Sequence, residues 1–342
     1  MNIIATWMYC HKTNDVVLYP QIGKNVGKQD NQNYFWRCVF CLFESSNRLN
    51  KNVRHLLICN QNPPSEIDGI NILSLIKKYK IELYDFPCIT RPPKDYYRAW
   101  NSQFILLDVI DVVCDLVREK EDICFILDSD CVFNRPISKD FELSVKRNKV
   151  LLYSLDYPLD YKINGLSRNE LKSLSLEYSN LRVEEFVYNG GELICALAAQ
   201  LKEISIEARK TYGLSLRRHQ TGLRKFNEEA QLLSYVYHKL NYRTHTANNY
   251  IKRMWTNVSN YRNIERTDNK LIIWHIPAEK KRGFVKLFRK LNRVTRNSNF
   301  DYISKVLNVE RTFYTFTKDY IFLFLKQPIR FVKKLQNSFR TT

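Results

Sequence analysis

The sequence predicts an α/β protein with a mostly parallel central sheet, helices on both faces of that sheet and a basic helical tail. Two observations predict the sheet. The first half of the 342 residues alternates short apolar runs with longer amphipathic segments, as strand–helix–strand units do. The clearest helix, over residues 96–119, carries one apolar stripe, and the apolar run 123–127 after it is typical of a buried strand.

The remaining elements follow from the same two patterns. Short runs of bulky apolar residues between polar or proline-containing breaks predict strands, and longer segments with an apolar stripe predict helices. The predicted strands are residues 3–9, 53–59, 81–86, 123–127, 149–154 and 271–275. The predicted helices are residues 34–49, 71–79, 96–119, 167–184, 193–212 and 227–240, and residues 11–33 are predicted to form a long polar loop.

Composition excludes several classes of protein. A hydrophobic fraction of 44% with 13% aromatic residues excludes general disorder. The nine cysteines are odd in number and several lie in apolar runs, which predicts reduced core thiols in a cytosolic protein. No apolar stretch reaches the length of a membrane span, and the first nine residues lack the pattern of a secretory signal. We therefore expect a cytoplasmic protein.

Basic charge is concentrated towards the carboxyl end. The formal net charge is +19, and the residues from Glu279 onward contain 16 Lys or Arg against 4 Asp or Glu. We therefore expect a globular domain over residues 1–282 and a basic amphipathic tail over residues 283–342. Within the tail, residues 284–291 and 320–335 set Phe and Leu among Lys and Arg, as interfacial membrane helices do. The alternative is a helical extension that packs on the domain or on a second copy of the chain, forming a homo-oligomer.

Asp128-Ser129-Asp130 is the most informative motif. It directly follows the apolar run 123–127, and open α/β sheets bind ligands outside the carboxyl ends of their strands. Two carboxylates at the edge of a core cost free energy unless a positive group pairs with them. Carboxylate oxygens suit Mg²⁺ or Mn²⁺, which is commonly shared with substrate phosphates. The alternative is a surface turn, since Asp-x-Asp also occurs by chance.

Asn189-Gly190-Gly191 is a second candidate. Glycine is scarce, with nine in the chain, and it is needed where the backbone turns with positive φ or approaches a ligand closely. The motif precedes the predicted helix 193–212, whose first N–H groups would face a bound ligand. The alternative is an ordinary turn that starts a helix.

Charged residues mark two further places. Glu228 and Glu229 lie in the first turn of the predicted helix 227–240, where acids either act in catalysis or simply complement the helix dipole. His275 ends the last predicted strand and could complete a metal site, and Lys280 follows it in a basic triplet that could bind phosphate oxygens.

Taken together, these motifs resemble the GT-A nucleotide-sugar glycosyltransferases. The shared plan is a strand-end Asp-x-Asp, a later Asn-Gly-Gly, a Glu-Glu-x-Gln helix start and a histidine after the final strand, in an arrangement similar to the glycogenin-like and bacterial lipopolysaccharide-type members. The resemblance spans residues 1–282, and residues 98–104 resemble the nucleotide-side helix of the family. The family's His-x-x-Gly-x-x-Lys ending is replaced here by His275-Ile276-Pro277-Ala278-Glu279-Lys280. The motifs identify no subfamily.

The resemblance implies a GT-A (Rossmann-like) catalytic domain. It also implies Mn²⁺- or Mg²⁺-dependent transfer of a sugar from a nucleoside diphosphate sugar, with a UDP-sugar as the expected donor, to a saccharide or lipid-linked acceptor in surface polysaccharide synthesis. The implied metal ligands are Asp128, Asp130 and His275, and the implied catalytic acids are Glu228 and Glu229. The implied nucleotide-sugar contacts are Thr6, Tyr9, Arg98, Asn101, Asp128, Asn189, Gly190, Gly191 and Lys280. The catalytic acid would be a general base in an inverting enzyme and would stabilise the sugar in a retaining one, and this choice stays open.

Two other classes of function are weighed against this one. A metal-dependent nucleotidyltransferase or phosphohydrolase also uses paired carboxylates, but it would show more acidic or histidine ligands near the Asp-x-Asp. A nucleic-acid-binding protein is suggested by the isoelectric point of about 9.5 and the many aromatic residues. Nucleic acid is the less expected partner because the basic charge lies mainly in the tail, which we expect to reach an anionic membrane surface on the cytoplasmic side.

Overall fold

The structure of the chain, a computed structural model, describes residues 1–11, 29–97, 101–242, 245–257, 261–291 and 300–310. The strands are β1 (Asn2–Met8), β2 (Val53–Cys59), β3 (Glu66–Ile67), β4 (Ile70–Asn71), β5 (Ile81–Asp85), β6 (Ile123–Leu127), β7 (Cys131–Phe133), β8 (Val150–Leu155), β9 (Tyr188–Leu197), β10 (Ile251–Arg253), β11 (Thr256–Asn257), β12 (Tyr261–Arg262) and β13 (Ile273–His275). The α-helices are α1 (Gln29–Leu49), α2 (Ile72–Tyr79), α3 (Leu106–Leu116), α4 (Lys139–Asn148), α5 (Arg168–Ser179), α6 (Ala198–Gln220), α7 (Glu229–Lys239), α8 (Gly283–Phe288) and α9 (Phe300–Val306).

The central sheet has six strands in the order β5-β2-β1-β6-β9-β8. The first four are mutually parallel, whereas β9 runs antiparallel to both of its neighbours. Parallel strands need crossover connections, and α1, α2 and α3 lie in the crossovers between β1, β2, β5 and β6. The predicted fold class, a mostly parallel sheet in an α/β protein, is confirmed.

Helices cover both faces of this sheet. Along β2, Leu56 and Ile58 belong to one hydrophobic cluster and Leu57 and Cys59 to another, because successive side chains of a strand point to opposite faces. The first cluster contains buried residues of α3, α6 and α7. The second contains residues of α1, α2 and α8. Both faces of the sheet are therefore buried, as expected for strands whose sequences are continuous apolar runs.

The prediction of a helix from residue 193 is wrong. Residues Tyr188–Leu197 form β9, which pairs with β6 on one side and β8 on the other, and the helix α6 starts only at Ala198. A strand buried on both faces shows no polar–apolar alternation, so the run 193–197 has no strand periodicity and merges with the helix that follows it. Asn189, Gly190 and Gly191 thus lie in a central strand and do not start a helix.

The structure differs from the predicted helices and loop in three further places. The helix predicted over 96–119 is shorter, with a 3₁₀ turn at Asn101–Ile105 followed by α3, and residues 98–100 lie outside the described part of the chain. Helix α4 was not predicted, although its N-cap Ser138 accepts a hydrogen bond from the N–H of Phe141, which is a usual start signal. Helix α4 has only two buried residues, Phe141 and Val145, and the rest of its surface is mostly polar, so its apolar stripe is difficult to recognise in the sequence. The predicted loop 11–33 is helical from Gln29, and residues 12–28 are not among the described ones.

A small second sheet carries Arg253 and His275. Its order is β10-β13-β7, with β13 parallel to β10 and antiparallel to β7. Since β7 starts one residue after Asp130, this pairing brings the last predicted strand to the Asp-x-Asp motif. The short pairs β3–β4 and β11–β12 are antiparallel.

The described part of the tail packs on the globular domain. Phe284, Leu287 and Phe288 of α8 are buried in the cluster that contains Phe40 of α1, and Ile303 near the chain's carboxyl end belongs to the same cluster. The first of the two segments expected at a membrane is therefore part of the core, and the packed chain continues beyond residue 282. The second segment lies outside the described residues. Among the helices that the structure describes, none combines the length and the apolarity that crossing a membrane requires.

The buried His55 makes the stability of this core depend on pH. Its Nε2 lies 2.8 Å from Ser46 Oγ and its Nδ1 lies 3.3 Å from the carbonyl oxygen of Tyr79, an arrangement that satisfies a neutral ring. Burial lowers the pKa of His55 from 6.5 to about 4. A shift of this size changes the free energy of unfolding by about 3 kcal/mol between neutral and acidic pH. As the pH falls from 6.5 towards 4, the unfolded chain takes up a proton that the folded chain does not, so the free energy of unfolding decreases.

We therefore expect His55→Asn to flatten the acid limb of the stability curve. Urea unfolding of the wild type and the variant between pH 7 and pH 4 measures this difference. Parallel curves for the two proteins would show that His55 does not contribute.

Candidate active site

The predicted site residues meet at a cavity of about 530 Å³ at the carboxyl ends of β1 and β6. This is the edge of the sheet at which open α/β folds bind ligands. The cavity is lined by Tyr9, Asp128, Asp130, Gly190, Gly191, Glu228, Glu229, His275 and Lys280, among others. Residues that lie far apart in the sequence, and that the motifs alone could only associate by resemblance, thus share one space.

Two predicted nucleotide-sugar contacts lie behind the cavity, and the side chains of two others fall outside the part of the chain that the structure describes. Thr6 is buried behind the cavity, where its Oγ1 donates a hydrogen bond to the carbonyl oxygen of Leu127 at 2.7 Å. Asn189 is also buried and accepts a hydrogen bond from Ser154 Oγ at 3.1 Å, and neither residue lines the cavity. Both therefore support the edge of the sheet. Arg98 lies outside the described residues, as does the side chain of Asn101.

The Asp-x-Asp turn is fixed through its backbone. The N–H of Asp128 donates to the carbonyl oxygen of Glu192 at 3.1 Å, and the N–H of Cys131 donates to that of Asp128 at 3.1 Å. The N–H of Ile276 donates to the carbonyl oxygen of Asp130 at 3.0 Å, and His275 pairs with Cys131 in the ladder between β13 and β7. Strand register therefore brings His275 to the two aspartates.

Asp128, Asp130 and His275 form the one cluster of three metal-ligating groups found among the described residues, and their ligand atoms lie within 4.8 Å of one another. His275 Nε2 is 3.2 Å from Asp130 Oδ2 and 3.7 Å from Asp128 Oδ2. Lys280 Nζ is 2.6 Å from Asp130 Oδ2. Two carboxylates and two cationic groups are thus packed into one buried corner.

These contacts set the protonation of the cluster. Burial raises the pKa of Asp128 to about 6, and the neighbouring Asp130 adds to the rise. Burial would also raise the pKa of Asp130, but Lys280 and His275 outweigh it and hold that pKa below its usual range. Burial opposes the charging of His275, yet the carboxylate of Asp130 raises its pKa to about 9. Asp130 is therefore the permanently ionised member.

The cluster fits a divalent metal. Both ring nitrogens of His275 are buried and lack a well-aligned hydrogen-bond partner in the described part of the chain, although Nε2 faces two carboxylates. Carboxylate oxygens suit Mg²⁺ and Mn²⁺, whereas an imidazole ligand favours a transition metal. The donor set of two carboxylates and one imidazole is therefore suited to a divalent metal ion.

Glu192 and Arg253 are site residues that the sequence motifs did not single out. Arg253 Nε and Nη2 donate to the two carboxylate oxygens of Glu192, each at 2.7 Å. Burial opposes the ionisation of Glu192, but Arg253 overcomes it and lowers the pKa of Glu192 to about 2. A signal was present, since an acid at the start of the apolar run 193–197 must find a buried cationic partner.

Glu228 and Glu229 form another wall of the cavity. Glu228 occupies the N-cap position of α7 without a capping hydrogen bond from its side chain, so the simple capping explanation fails for it. Its carboxylate instead accepts hydrogen bonds from the hydroxyl of Tyr188 and the amide of Asn164. Oε2 of Glu229 is buried without a hydrogen-bond partner among the described residues.

The environments of these two acids push their proton affinities apart. Burial raises the pKa of Glu228, and the bonds from Tyr188 and Asn164 oppose that rise. Burial raises the pKa of Glu229 well above its usual value, and the charge of Glu228 raises it further. Two close carboxylates do not both ionise readily, so Glu229 holds a proton more tightly than Glu228 does.

Comparisons of the sequence and of the structure with known proteins give different results. No family model matches the sequence, and no curated protein matches it. Among solved structures, the chain is similar to mouse xyloside xylosyltransferase 1 in its apo form, with 9% identity and a TM-score of 0.46 over 80% of this chain and 97% of that chain. A likeness at this identity and TM-score says nothing about substrates. In its mostly parallel sheet and in the Asp-x-Asp triad at the carboxyl edge of that sheet, the chain resembles the GT-A glycosyltransferases, with no subfamily identified.

Proposed function

We propose that this chain is a divalent-metal-dependent glycosyltransferase that moves a sugar from a nucleoside diphosphate sugar, with a UDP-sugar as the expected donor. The observation that carries the proposal is the triad of Asp128, Asp130 and His275 at a cavity that two further carboxyl groups line from another wall. The cavity, about 530 Å³, is of the size of small-molecule sites. The separation of a cation site from an acid pair suits a reaction with a charged leaving group.

The triad and Lys280 would serve the leaving group. Asp128, Asp130 and His275 would hold Mn²⁺ or Mg²⁺, which neutralises the charge that develops on a departing nucleoside diphosphate. Lys280 stands beside Asp130 and would add its own positive charge for phosphate oxygens. The metal ion and Lys280 would both contact the phosphates. The donor sugar would then extend away from the phosphates towards Gly190 and Gly191.

Aromatic side chains suit the two ends of the substrate. Tyr9 and His11 line the cavity, and their rings are in edge-to-face contact with centroids 4.6 Å apart. These two side chains would contact the nucleoside. Tyr157 and Tyr161 stack with centroids 5.3 Å apart on the same cavity. Aromatic faces with a hydroxyl edge suit a ring that has an apolar face and polar rim, which supports a saccharide as the group that accepts the sugar, free or lipid-linked, as in surface polysaccharide synthesis.

Glu228 and Glu229 would divide the work at the reacting carbon. The ionised Glu228 would take the proton of the acceptor hydroxyl in an inverting reaction, or stabilise the sugar cation in a retaining one. The protonated Glu229 would donate a hydrogen bond to a sugar hydroxyl. Acid and base roles commonly fall to pairs whose surroundings separate their pKa values in this way.

Asp130→Asn tests the metal site. Removal of the permanently ionised ligand is expected to lower the Mn²⁺-dependent release of nucleoside diphosphate from a panel of nucleoside diphosphate sugars by about 10²-fold or more. Chelation of the metal with EDTA should abolish the same activity in the wild type, and added Mn²⁺ should restore it.

A matched control for this variant is Asp115→Asn, which removes an exposed carboxylate of α3. Unchanged turnover is expected for it. Full activity of Asp130→Asn would refute the metal site. Tight RNA binding without any turnover of nucleotide sugars would favour the nucleic-acid alternative, and release of inorganic phosphate from nucleotides would favour a phosphohydrolase.

Single Gln substitutions test the acid pair. Glu228→Gln removes the ionised carboxylate and is expected to lower kcat by about 10²- to 10⁴-fold. Glu229→Gln replaces a protonated acid by a neutral side chain of the same shape, and the loss is expected to stay within about tenfold. Steady-state kinetics with saturating donor measures both. Equal rates for the two variants would contradict the division of roles, and wild-type rates for both would remove the acids from the chemistry.

For the tail, we propose contact with the inner face of a membrane through residues 311–342. These residues carry seven Lys or Arg and one Asp, and they include the run Tyr320-Ile321-Phe322-Leu323-Phe324-Leu325. Such segments bind anionic interfaces. The full chain is expected to sediment with anionic vesicles at low salt, and a chain ending at Glu310, which keeps the packed α9, is expected to stay in solution.

Full-length Lys333→Gln/Lys334→Gln serves as the charge control and should bind anionic vesicles more weakly. Neutral phosphatidylcholine vesicles should bind the wild type less than anionic ones. Equal sedimentation of the full chain and the shortened chain would place the contact elsewhere. A shift of the full chain to a dimer without vesicle binding would support packing on a second copy.

A further inference from the structure

Glu192 lies on the side of His275 that faces away from the two aspartates. His275 Nδ1 is 3.5 Å from Glu192 Oε1, whereas Nε2 is the nitrogen nearest to Asp130 and Asp128. The carboxylate of Glu192 is fully buried, and Arg253 holds both of its oxygens. The imidazole therefore stands between an acidic pair on one side and a clamped carboxylate on the other.

Four strands fix this arrangement. Arg253 of β10 is paired with His275 of β13, and His275 is paired with Cys131 of β7. The carbonyl oxygen of Glu192 in β9 accepts the N–H of Asp128. Because every member is placed by a backbone ladder or a backbone hydrogen bond, the orientation of the carboxylate relative to the ring is part of the fold.

Gly190 makes room for the clamp. Gly190 lies where the pairing of β9 with β8 is irregular, and a Cβ at Gly190 would lie 2.0 Å from Glu192 Oε2 and 3.0 Å from Arg253 Nη2. Any side chain at this position would displace the carboxylate from Arg253. The Glu192–Arg253 pair thus requires glycine at position 190. This requirement does not depend on close approach of the backbone to a ligand.

We propose that Glu192, held by Arg253, is the positioning residue that turns His275 so that its Nε2 faces the metal site. The inference rests on the metal site of the proposed function. A histidine that binds a metal through one nitrogen usually donates its other N–H to a carboxylate, which fixes the tautomer and the ring orientation. Glu192 is suited to that role because it contacts Nδ1 and lies outside the cluster formed by Asp128, Asp130 and His275.

Mn²⁺ binding in the absence of nucleotide sugar tests the proposal directly. We expect Glu192→Gln to weaken Mn²⁺ binding by about 10- to 100-fold, measured by electron paramagnetic resonance titration of free Mn²⁺. The matched control is Asp268→Asn, which breaks another buried ion pair, 3.0 Å from Lys252, and which should bind Mn²⁺ as the wild type does. Binding by Glu192→Gln within about twofold of wild type would overturn the proposal.

A double variant separates orientation from charge. Glu192→Gln alone removes a negative charge near a cation site, which would weaken binding even without any orienting role. Glu192→Gln/Arg253→Gln removes one charge of each sign and keeps the net charge of the pair. Affinity that stays low in the double variant supports orientation, and affinity restored to the wild-type value would show that charge alone acts.

A measurement on the wild type guards against variants that do not fold. With ¹⁵N-labelled histidine and diamagnetic Cd²⁺ in place of Mn²⁺, the proposal requires the bound His275 to carry its proton on Nδ1. A proton on Nε2 would overturn it. If the wild type binds neither metal, the metal site of the proposed function fails as well; if it binds both and only Glu192→Gln is without effect, the positioning role alone is wrong.

Discussion

The crowding of three carboxylates at one edge of the central sheet, with Asp130 and Glu192 buried, is the constraint on which the rest of the site depends. Asp128, Asp130 and Glu192 converge where β6 and β9 meet, and buried charges of one sign are costly unless they are paired. Lys280, His275 and Arg253 supply the compensation. None of these cations belongs to the central sheet; His275 and Arg253 are delivered by the small sheet, and Lys280 follows it.

The position of the small sheet, next to the Asp-x-Asp turn, allows its cationic residues to compensate the charge of these carboxylates. Strand β7 follows directly after the Asp-x-Asp turn. Because β7 pairs with β13, His275 lies beside that turn. The packing of α8 against α1 then secures the chain that follows Lys280. Segments near both ends of the described chain thus hold the same corner of the molecule, and the carboxylates are placed before any metal or substrate arrives. Such preorganisation is what makes electrostatic stabilisation of a charged leaving group effective.

Sequence patterns predicted the elements that have clear periodicity or clear boundaries. The strands β2, β5 and β6 and the helix α2 were predicted to within one residue at each end, because each is bounded by polar breaks. Helix α1 was predicted without its first five residues. Strand β9 was missed because burial on both faces removes the alternation that marks a strand. The segment 284–291 was expected at a membrane, since an amphipathic helix rich in Lys looks the same whether its apolar side meets lipid or, as here, α1.

By itself, the sequence determined that a pair of acids follows a buried strand, that the sheet is mostly parallel and that a histidine ends a late strand, because these depend on local runs of residues. Only the tertiary structure decided which groups face one another. Strand register paired His275 with Cys131, which brought the imidazole beside Asp130. The absence of a side chain at Gly190 left room for the Glu192–Arg253 clamp, and hydrogen bonds from Tyr188 and Asn164 distinguished Glu228 from Glu229. Charge compensation acts over a few ångströms between residues that are 61 or more positions apart, and no local pattern in the chain encodes those distances.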